Sequence, residues 1–249
     1  MTRIKMWVSS ITLLLLIGVS YGGSSVNISR DALGFAEVNI DQSDPGIRWM
    51  YNAWQNAKRK NSLKTIAGQY GTHEAIVGIY PSSGVMEFPY VIVSRIQPGS
   101  HPANLEKIMA TDIKGRYSPQ TYNNISMSVG SKPDGRKFAF YQSGASIVMG
   151  TDLNALKKTI DVSNGSIASI KSDPDWADLT NRLSGNRDME FFFTNNSGQF
   201  ASALSRQERK WKMSLLLSSR SIQAISGGMN FVDGDRMTGV LIFKAKNPA

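Results

Sequence analysis

The sequence predicts an α+β protein in which duplicated strand-helix-hairpin units form antiparallel sheet covered by helices. Three observations support this prediction. Apolar and polar side chains alternate on both sides of a tight turn in residues 73–96, and again in residues 222–245, as they do in β-hairpins. Segments with apolar residues at three- and four-residue spacing precede both hairpins. The chain of 249 residues, 41% of them hydrophobic, is long enough for one sizeable core.

The first element along the chain has the pattern of a secretory signal peptide. Arg3 and Lys5 precede an apolar stretch at residues 8–19, and small residues follow it. A membrane-spanning helix needs roughly twenty apolar residues, so this stretch is short for that role. We therefore expect residues 1–22 to be a signal peptide cleaved near Tyr21, and the alternative is that they stay as a short membrane anchor.

The rest of the chain is expected to form one domain. Residues 23–30 are small and polar, which indicates a flexible lead-in to a single α+β domain at residues 31–249. Within that domain, residues 33–96 and 189–245 repeat the order strand, helix, hairpin, and residues 97–188 form a middle insertion. Neither copy would bury its sheet alone, so we expect the two copies to share one core.

The first copy opens with an alternating strand at residues 33–39, which a helix follows. Asp44 can cap this helix, and Pro45 suits its first position. Two strands at residues 75–80 and 88–96 then form the hairpin. The apolar face of the helix is made of residues at helical spacing: Ile47, Met50, Tyr51 and Trp54.

The insertion has its own pattern. Residues 121–130 alternate like a strand, and residues 136–150 are typical of a second hairpin. Thr151 can cap the helix that comes next, and Asp173 with Pro174 repeats the Asp-Pro helix start of the first copy.

The second copy begins with a strand at residues 189–194 and leads through a helical segment into the second hairpin. In the ungapped pairing of the two hairpins, Ile76 corresponds to Ile225 and Ile92 to Leu241. Because side chains alternate between the faces of a strand, this pairing keeps every position on its original face. The alternative is that any two amphipathic hairpins share such a pattern.

Several passages resemble an uncharacterised family of exported bacterial proteins, domain of unknown function 3352. Besides the signal-like N-terminus, they are the strand end at residues 36–39, the hairpin-to-helix passage at 138–160, the helix start at 172–179 and the strand at 189–195. The resemblance covers most of the mature chain and implies an extracytoplasmic, often membrane-tethered protein. It carries no catalytic or binding residues over to this sequence.

Signatures of catalysis are absent from the sequence. It has no cysteine, no Gly-x-Ser-x-Gly or Ser-x-x-Lys motif, and no phosphate-binding Gly-x-x-x-x-Gly-Lys-Ser/Thr loop. Two histidines without cysteine do not predict a zinc site, so we expect no metal. Because the catalytic and phosphate-binding motifs are also missing, we expect no enzyme activity and no cofactor. Carboxylate pairs that meet only in the folded chain stay open. The remaining candidates are better explained by helix caps, strand ends and turns: His73, His101, Asp41, Asp44, Asp233 and Asp235.

The charge balance is basic, with 28 Lys and Arg against 19 Asp and Glu and a formal net charge of +9. Such an excess fits an anionic partner such as lipid headgroups or a cell-wall polymer, although ordinary solubility would also explain it. The candidate anion-binding residues lie in two runs, which we expect on corresponding helices of the two copies: Lys58, Arg59, Lys60, Arg206, Arg209 and Lys210. The alternative is that these runs are the solvated outer faces of helices that cover the sheet.

These observations together predict an exported protein of the cell envelope, periplasmic or extracellular, that binds or scaffolds a partner without catalysing a reaction. The sequence does not name the partner; another envelope protein and an anionic surface are the candidates. The first alternative is a peripheral binder of an anionic lipid or polymer through a basic surface. A hydrolase with an unrecognised site is the third. Nucleic acid is not an expected partner, because no nucleic-acid-binding motif accompanies the basic runs.

Overall fold

The protein is described by a computed structural model. The residues that it describes are 27–56, 62–81, 88–97, 100, 105–110, 117–131, 137–183, 185, 187–195, 198–199, 221–233 and 236–246.

The described residues form one antiparallel sheet of ten strands, in the spatial order β10-β9-β8-β1-β2-β3-β7-β6-β5-β4. The predicted α+β class with an antiparallel sheet is therefore confirmed. The strands are β1 (Gly34–Asn39), β2 (Glu74–Ile79), β3 (Tyr90–Arg95), β4 (Ser118–Tyr122), β5 (Ile125–Ser131), β6 (Lys137–Ser143), β7 (Ser146–Gly150), β8 (Met189–Thr194), β9 (Ile222–Asp233) and β10 (Arg236–Ala245).

Helices lie on both sides of this sheet. Two of them start where the sequence predicts, because the side chains of Asp44 and Asp173 accept backbone N–H groups of the first turn. None of the helices among the described residues is long and apolar enough to cross a membrane. The helices are α1 (Pro45–Asn56), α2 (Ser62–Tyr70), α3 (Leu105–Met109), α4 (Leu153–Ser163) and α5 (Pro174–Thr180), with a 3-10 turn at Ile170–Ser172.

The two predicted copies lie side by side in the sheet. Strands β1 and β8 are antiparallel neighbours at their junction. From there, β1, β2 and β3 extend the sheet in one direction, and β8, β9 and β10 extend it in the other. The strands of the insertion continue the sheet beyond β3, so all three parts of the chain share one sheet. The duplication itself stays a prediction, because sheet order alone does not establish common ancestry of the two units.

The core has two layers, one on each face of the sheet. Face A is the face that carries Phe35 and Phe192, and α4 and α5 cover it with Leu156 and Trp176, among others. Face B is the opposite face. Over β1 and β8 it is covered by α1, and over β2, β3, β6 and β7 it packs against α2 and α3.

The ungapped pairing of the two hairpins does not hold through both strands. Ile92 and Leu241 both lie on face B, as expected. Ile76, however, lies on face A opposite Glu37 and Val93, whereas Ile225 lies on face B opposite Phe193. The two hairpins differ by one residue in register, and a one-residue shift moves a side chain to the other face.

The lead-in predicted for residues 23–30 is wrong where the structure describes it, because residues 27–30 are packed against the domain. Ile28 is fully buried and fills the space above Gly78, where an added Cβ would lie 2.6 Å from the Ile28 Cδ1. Ser29 forms an isolated bridge with Ser169. The domain therefore begins earlier than its first long strand.

Two local predictions in the insertion are also corrected. Residues 121–130 are not one strand but contain the end of β4, the turn of the β4-β5 hairpin and most of β5, because Asn123 and Asn124 both adopt positive φ, 46° and 63°. Two consecutive positive φ angles give the twist that a tight hairpin turn needs. The cap of α4 is Asp152, which accepts the N–H of Ala155, while the Thr151 hydroxyl accepts the N–H of Tyr90.

Candidate functional site

The predicted anion-binding residues all lie outside the described residues: Lys58, Arg59, Lys60, Arg206, Arg209 and Lys210.

The histidines and acidic pairs give no catalytic or metal site where the structure describes them. His73 is exposed at the start of β2, and its backbone N–H donates to the Arg95 carbonyl. Hydrogen bonds from the Ser43 side chain and from its backbone N–H lower the pKa of Asp41, and Asp44 caps α1. No group of three His, Cys, Asp or Glu in the described part of the chain could hold a metal ion. His101 and Asp235 lie outside that part.

The fold does bring together charged side chains that the sequence did not single out. Glu37 of β1 and Glu190 of β8 lie directly opposite each other on face A. Glu74 lies two residues from the position opposite Glu37 on β2, on the same face. Burial raises the pKa of Glu37 above its ordinary value of 4.5, the neighbouring Lys171 lowers it in part, and Glu74 and Glu190 add to the rise.

Each of these carboxylates has a cation beside it. Lys171 Nζ lies 2.7 Å from Glu37 Oε2, in an ion pair rather than a well-aligned hydrogen bond. Arg95 Nη1 lies 2.7 Å from Glu74 Oε2, and Arg187 Nη1 lies 3.2 Å from Glu190 Oε1. The three pairs, here called the charged cluster, are Glu37–Lys171, Glu74–Arg95 and Glu190–Arg187.

Packing holds the cations of the charged cluster in place. Lys171 leaves the 3-10 turn so that its Nζ lies 5.6 Å from the ring centre of Trp176 and 5.8 Å from that of Phe35. The Arg187 side chain is 6% exposed and occupies the space above Gly228, where an added Cβ would lie 1.6 Å from the Arg187 Cδ. Since Glu37 is only 8% exposed and covered by Lys171, the Glu37–Glu190 pair has the character of a structural contact rather than of a catalytic dyad.

A shallow groove lies on face B near the other end of the sheet. It has a volume of about 560 Å³ and lies between α3 and strands β5 and β6. Ser128 closes part of it by donating a hydrogen bond to Glu106. Burial raises the pKa of Tyr141, which lines the groove, but its hydroxyl is hydrogen-bonded to the Thr159 hydroxyl of α4 on face A. This geometry points to no reaction in the groove.

The most exposed apolar surface in the described part of the chain is at the end of the sheet that β10 forms. We call this the β10 surface. Leu241 and Phe243 project from face B, whereas Val240 projects from face A. No described strand pairs with the outer edge of β10. The surface consists of Val232 (46% exposed), Met237 (50%), Val240 (55%), Leu241 (51%) and Phe243 (42%).

Sequence reasoning missed the β10 surface although a signal was present. Residues 240–243 are four consecutive apolar residues, a run typical of a strand that is covered on both faces rather than on one. One end of the strand is fixed, because Lys244 Nζ lies 2.9 Å from Asp175 Oδ1 and 3.1 Å from Asp178 Oδ2 of α5. These contacts raise the pKa of Lys244 and lower that of Asp178.

Comparisons with known proteins bear on the fold alone. The sequence matches no protein-family model, and no curated protein is significantly similar to it. Among solved structures, the fold is similar to crystal form III of TP0453, with a TM-score of 0.55 and 9% identity over 92% of this chain and 82% of that one. Crystal form I of TP0453 gives a TM-score of 0.51 and 10% identity over 92% of this chain and 81% of that one. The chain thus shares the overall fold of TP0453 at a very low sequence identity.

Proposed function

We propose that this chain is an exported, non-enzymatic binding or scaffolding module of the cell envelope. The observation that supports the binding role is the β10 surface, where apolar side chains are exposed on both faces of a strand whose outer edge has no described partner. Exposed apolar patches of this kind mark interaction sites, and open sheet edges are templates for a further strand. The partner chemistry that fits is an apolar protein segment.

The charged cluster favours a non-enzymatic role. Its carboxylates are paired with cations, and Glu37 is shielded from solvent by Lys171. A catalytic carboxylate has to reach its substrate, usually from a cleft, with a pKa suited to proton transfer. Here the shifted pKa of Glu37 follows from burial inside the protein rather than from a substrate-sized opening.

Export is proposed from the N-terminal sequence, in which Arg3 and Lys5 precede a short apolar stretch. Intact-mass measurement of the protein taken from its own host tests this part. The expected result is a mature chain that begins near Tyr21. A full-length species that needs detergent would instead favour the membrane anchor.

Site-specific photo-cross-linking in the native host tests the binding role. A photoreactive residue in place of Val240 should form covalent adducts in the envelope, whereas the same residue in place of Gln120 should not. Gln120 is the matched control, because it is exposed on β4 at the opposite edge of the same sheet. Absence of adducts at position 240, with the protein at normal abundance, would contradict the proposal.

The distribution of charge favours one second candidate, a peripheral binder of an anionic lipid or polymer. The chain carries a formal net charge of +9, and six of its cations lie in the two basic runs, at Lys58, Arg59 and Lys60 and at Arg206, Arg209 and Lys210. Charge of one sign gathered on one surface attracts anionic surfaces more strongly than the same charge spread evenly, and this candidate places both runs on one surface.

A further inference from the structure

The two edges of the sheet are built differently. The β4 edge is short, carries Pro119, and exposes polar side chains at most of its positions. Natural sheets use short, polar and proline-containing edges to prevent further strand pairing. The β10 edge is longer, spanning Arg236–Ala245, contains no proline, and has polar or charged residues mainly toward its ends. Its exposed apolar side chains are Met237, Val240, Leu241 and Phe243. Among the described residues, the sheet is thus protected at the β4 edge, and no strand pairs with the outer edge of β10.

The geometry of the β10 surface favours a strand as its occupant. Leu241 and Phe243 are exposed on face B and Val240 on face A, so a helix that packed on one face would leave the other uncovered. An added strand continues both faces at once and pairs the backbone N–H and C=O groups of the outer edge. The occupant that fits is therefore a strand with apolar side chains on both of its faces.

The sequence of β10 meets that requirement itself. We propose that β10 pairs antiparallel with β10 of a second copy of this chain. This proposal rests on the proposed binding function and identifies the partner as a second copy. A twofold axis normal to the sheet keeps face A beside face A, so one residue must lie opposite its own copy. The two registers that engage most of the strand are centred on Val240 and on Leu241.

Side-chain complementarity selects between these two registers. Centring on Val240 places Arg236 opposite Lys244, and like charges directly opposite each other are destabilising. Centring on Leu241 places Val240 opposite Ile242 and Phe243 opposite Gly239, so that an aromatic ring covers a glycine across the strands. In that register Arg236 lies opposite Lys246, which follows the last residue of β10, and Lys244 lies opposite Thr238 and keeps its ion pairs with Asp175 and Asp178. The proposed axis therefore passes through Leu241.

Disulfide trapping tests the proposal, because the chain contains no cysteine. Directly opposite residues of antiparallel strands have Cα atoms roughly 4.5–5.5 Å apart, within the range that a disulfide spans. Under mild oxidation at low micromolar concentration, the Leu241→Cys chain should form a covalent dimer at least tenfold faster than Val240→Cys. Gln120→Cys, on the protected edge, should stay monomeric. Light scattering should show the unmodified protein as a dimer.

Each other result overturns the proposal. Faster dimerisation of Val240→Cys than of Leu241→Cys would overturn the register. Equal, slow rates in all three variants, together with a monomer in light scattering, would overturn self-pairing. Photo-adducts at position 240 to a different envelope protein, without a dimer, would reject the second copy while leaving the binding function in place. Thermal unfolding of each variant shows that the exposed substitutions leave the fold intact.

Discussion

Glu37 and Glu190 face each other across β1 and β8, at the junction of the two halves of the sheet, with Lys171 bound to Glu37. The junction is thus a contact of two carboxylates, each paired with its own cation, Lys171 beside Glu37 and Arg187 beside Glu190. Phe35 and Phe192 are the next pair of opposite residues on the same face of β1 and β8. Their ring centres lie 5.1 and 5.7 Å, respectively, from that of Trp176. Apolar packing and an ion pair therefore join the halves together.

The first prediction concerns this ion pair. Lys171→Met should lower the free energy of unfolding by about 1–3 kcal/mol, because it leaves the Glu37 carboxylate buried without its cation. The side chain of Lys171 is 30% exposed, so the cost is below that of a fully buried pair. Adding Glu37→Gln should recover most of the loss. Urea unfolding at pH 7 measures both variants, and a double variant no more stable than Lys171→Met would contradict the account.

The pH dependence of the same variant follows from the raised pKa of Glu37. The folded chain takes up the proton at a higher pH than the unfolded chain, so this group adds stability as the pH falls through its folded pKa toward 4.5. Lys171 lowers this pKa in the parent protein, so its removal raises the pKa of Glu37 further, and the variant gains more stability on protonation than the parent does. The deficit of Lys171→Met relative to the parent protein should therefore shrink between pH 7 and pH 5. A deficit that stays constant over this range would show that the carboxylate is not the cause.

Two helical glycines make a matched pair for the second prediction. An added Cβ on Gly46 of α1 would lie 1.8 Å from the Phe231 carbonyl oxygen, whereas on Gly68 of α2 its nearest neighbour would be a Gln55 side-chain atom at 3.8 Å. Gly46→Ala should cost about 2 kcal/mol or more through this collision. Gly68→Ala should gain about 0.5–1 kcal/mol, because alanine favours helix. Thermal unfolding of the two variants compares them, and equal stabilities would refute the packing of α1 against β9.

The third prediction concerns the turn between β4 and β5. Asn124 has a φ of 63°, a conformation that glycine adopts without cost and β-branched residues resist. Asn124→Gly should leave stability unchanged or slightly higher, and Asn124→Val should lower it by about 1–2 kcal/mol. Chemical unfolding of both variants is the measurement. If valine is tolerated as well as glycine, the turn does not have this geometry.

The fourth prediction tests the second candidate function. If the basic runs bind an anionic surface, the mature protein should bind anionic vesicles at low salt and release them at physiological salt, because exposed cations contribute about 1 kcal/mol each and salt screens them. Replacing Arg206, Arg209 and Lys210 with Glu should abolish this binding with little change in melting temperature. Vesicle co-sedimentation gives the answer, and no binding at low salt would reduce the +9 charge to a solubility feature.

Features set by neighbouring residues could be predicted from the sequence. The Asp-Pro helix starts at Asp44 and Asp173 are confirmed, since a cap depends on only the next two or three residues. The turn at Asn123-Asn124 carried a local signal of the same kind, because asparagine tolerates positive φ better than most residues. It was not predicted because the residues on both sides alternate like one continuous strand.

Features set by strand pairing could not be predicted. The one-residue register difference that separates Ile76 from Ile225 lies within the two hairpins, because Ile76 pairs with Val93 whereas Ile225 pairs with Phe243, and apolar alternation does not fix the register of a hairpin. The charged cluster depends on the junction of β1 and β8, since Glu37, Lys171 and Glu190 are far apart along the chain. The run at residues 240–243 did indicate a strand apolar on both faces, but only its place at the sheet edge makes it a candidate binding surface.

The central claim is that the β10 surface is open in a single chain and covered by a partner. Amide hydrogen exchange of peptides from β10 and β4, measured over a range of protein concentrations, tests this claim most directly. The account predicts that exchange in β10 slows as the concentration rises, while exchange in β4 does not change. If the amides of β10 exchange equally slowly at every protein concentration, including concentrations at which the protein is a monomer, the edge of β10 is covered within the same chain. That result would contradict the account.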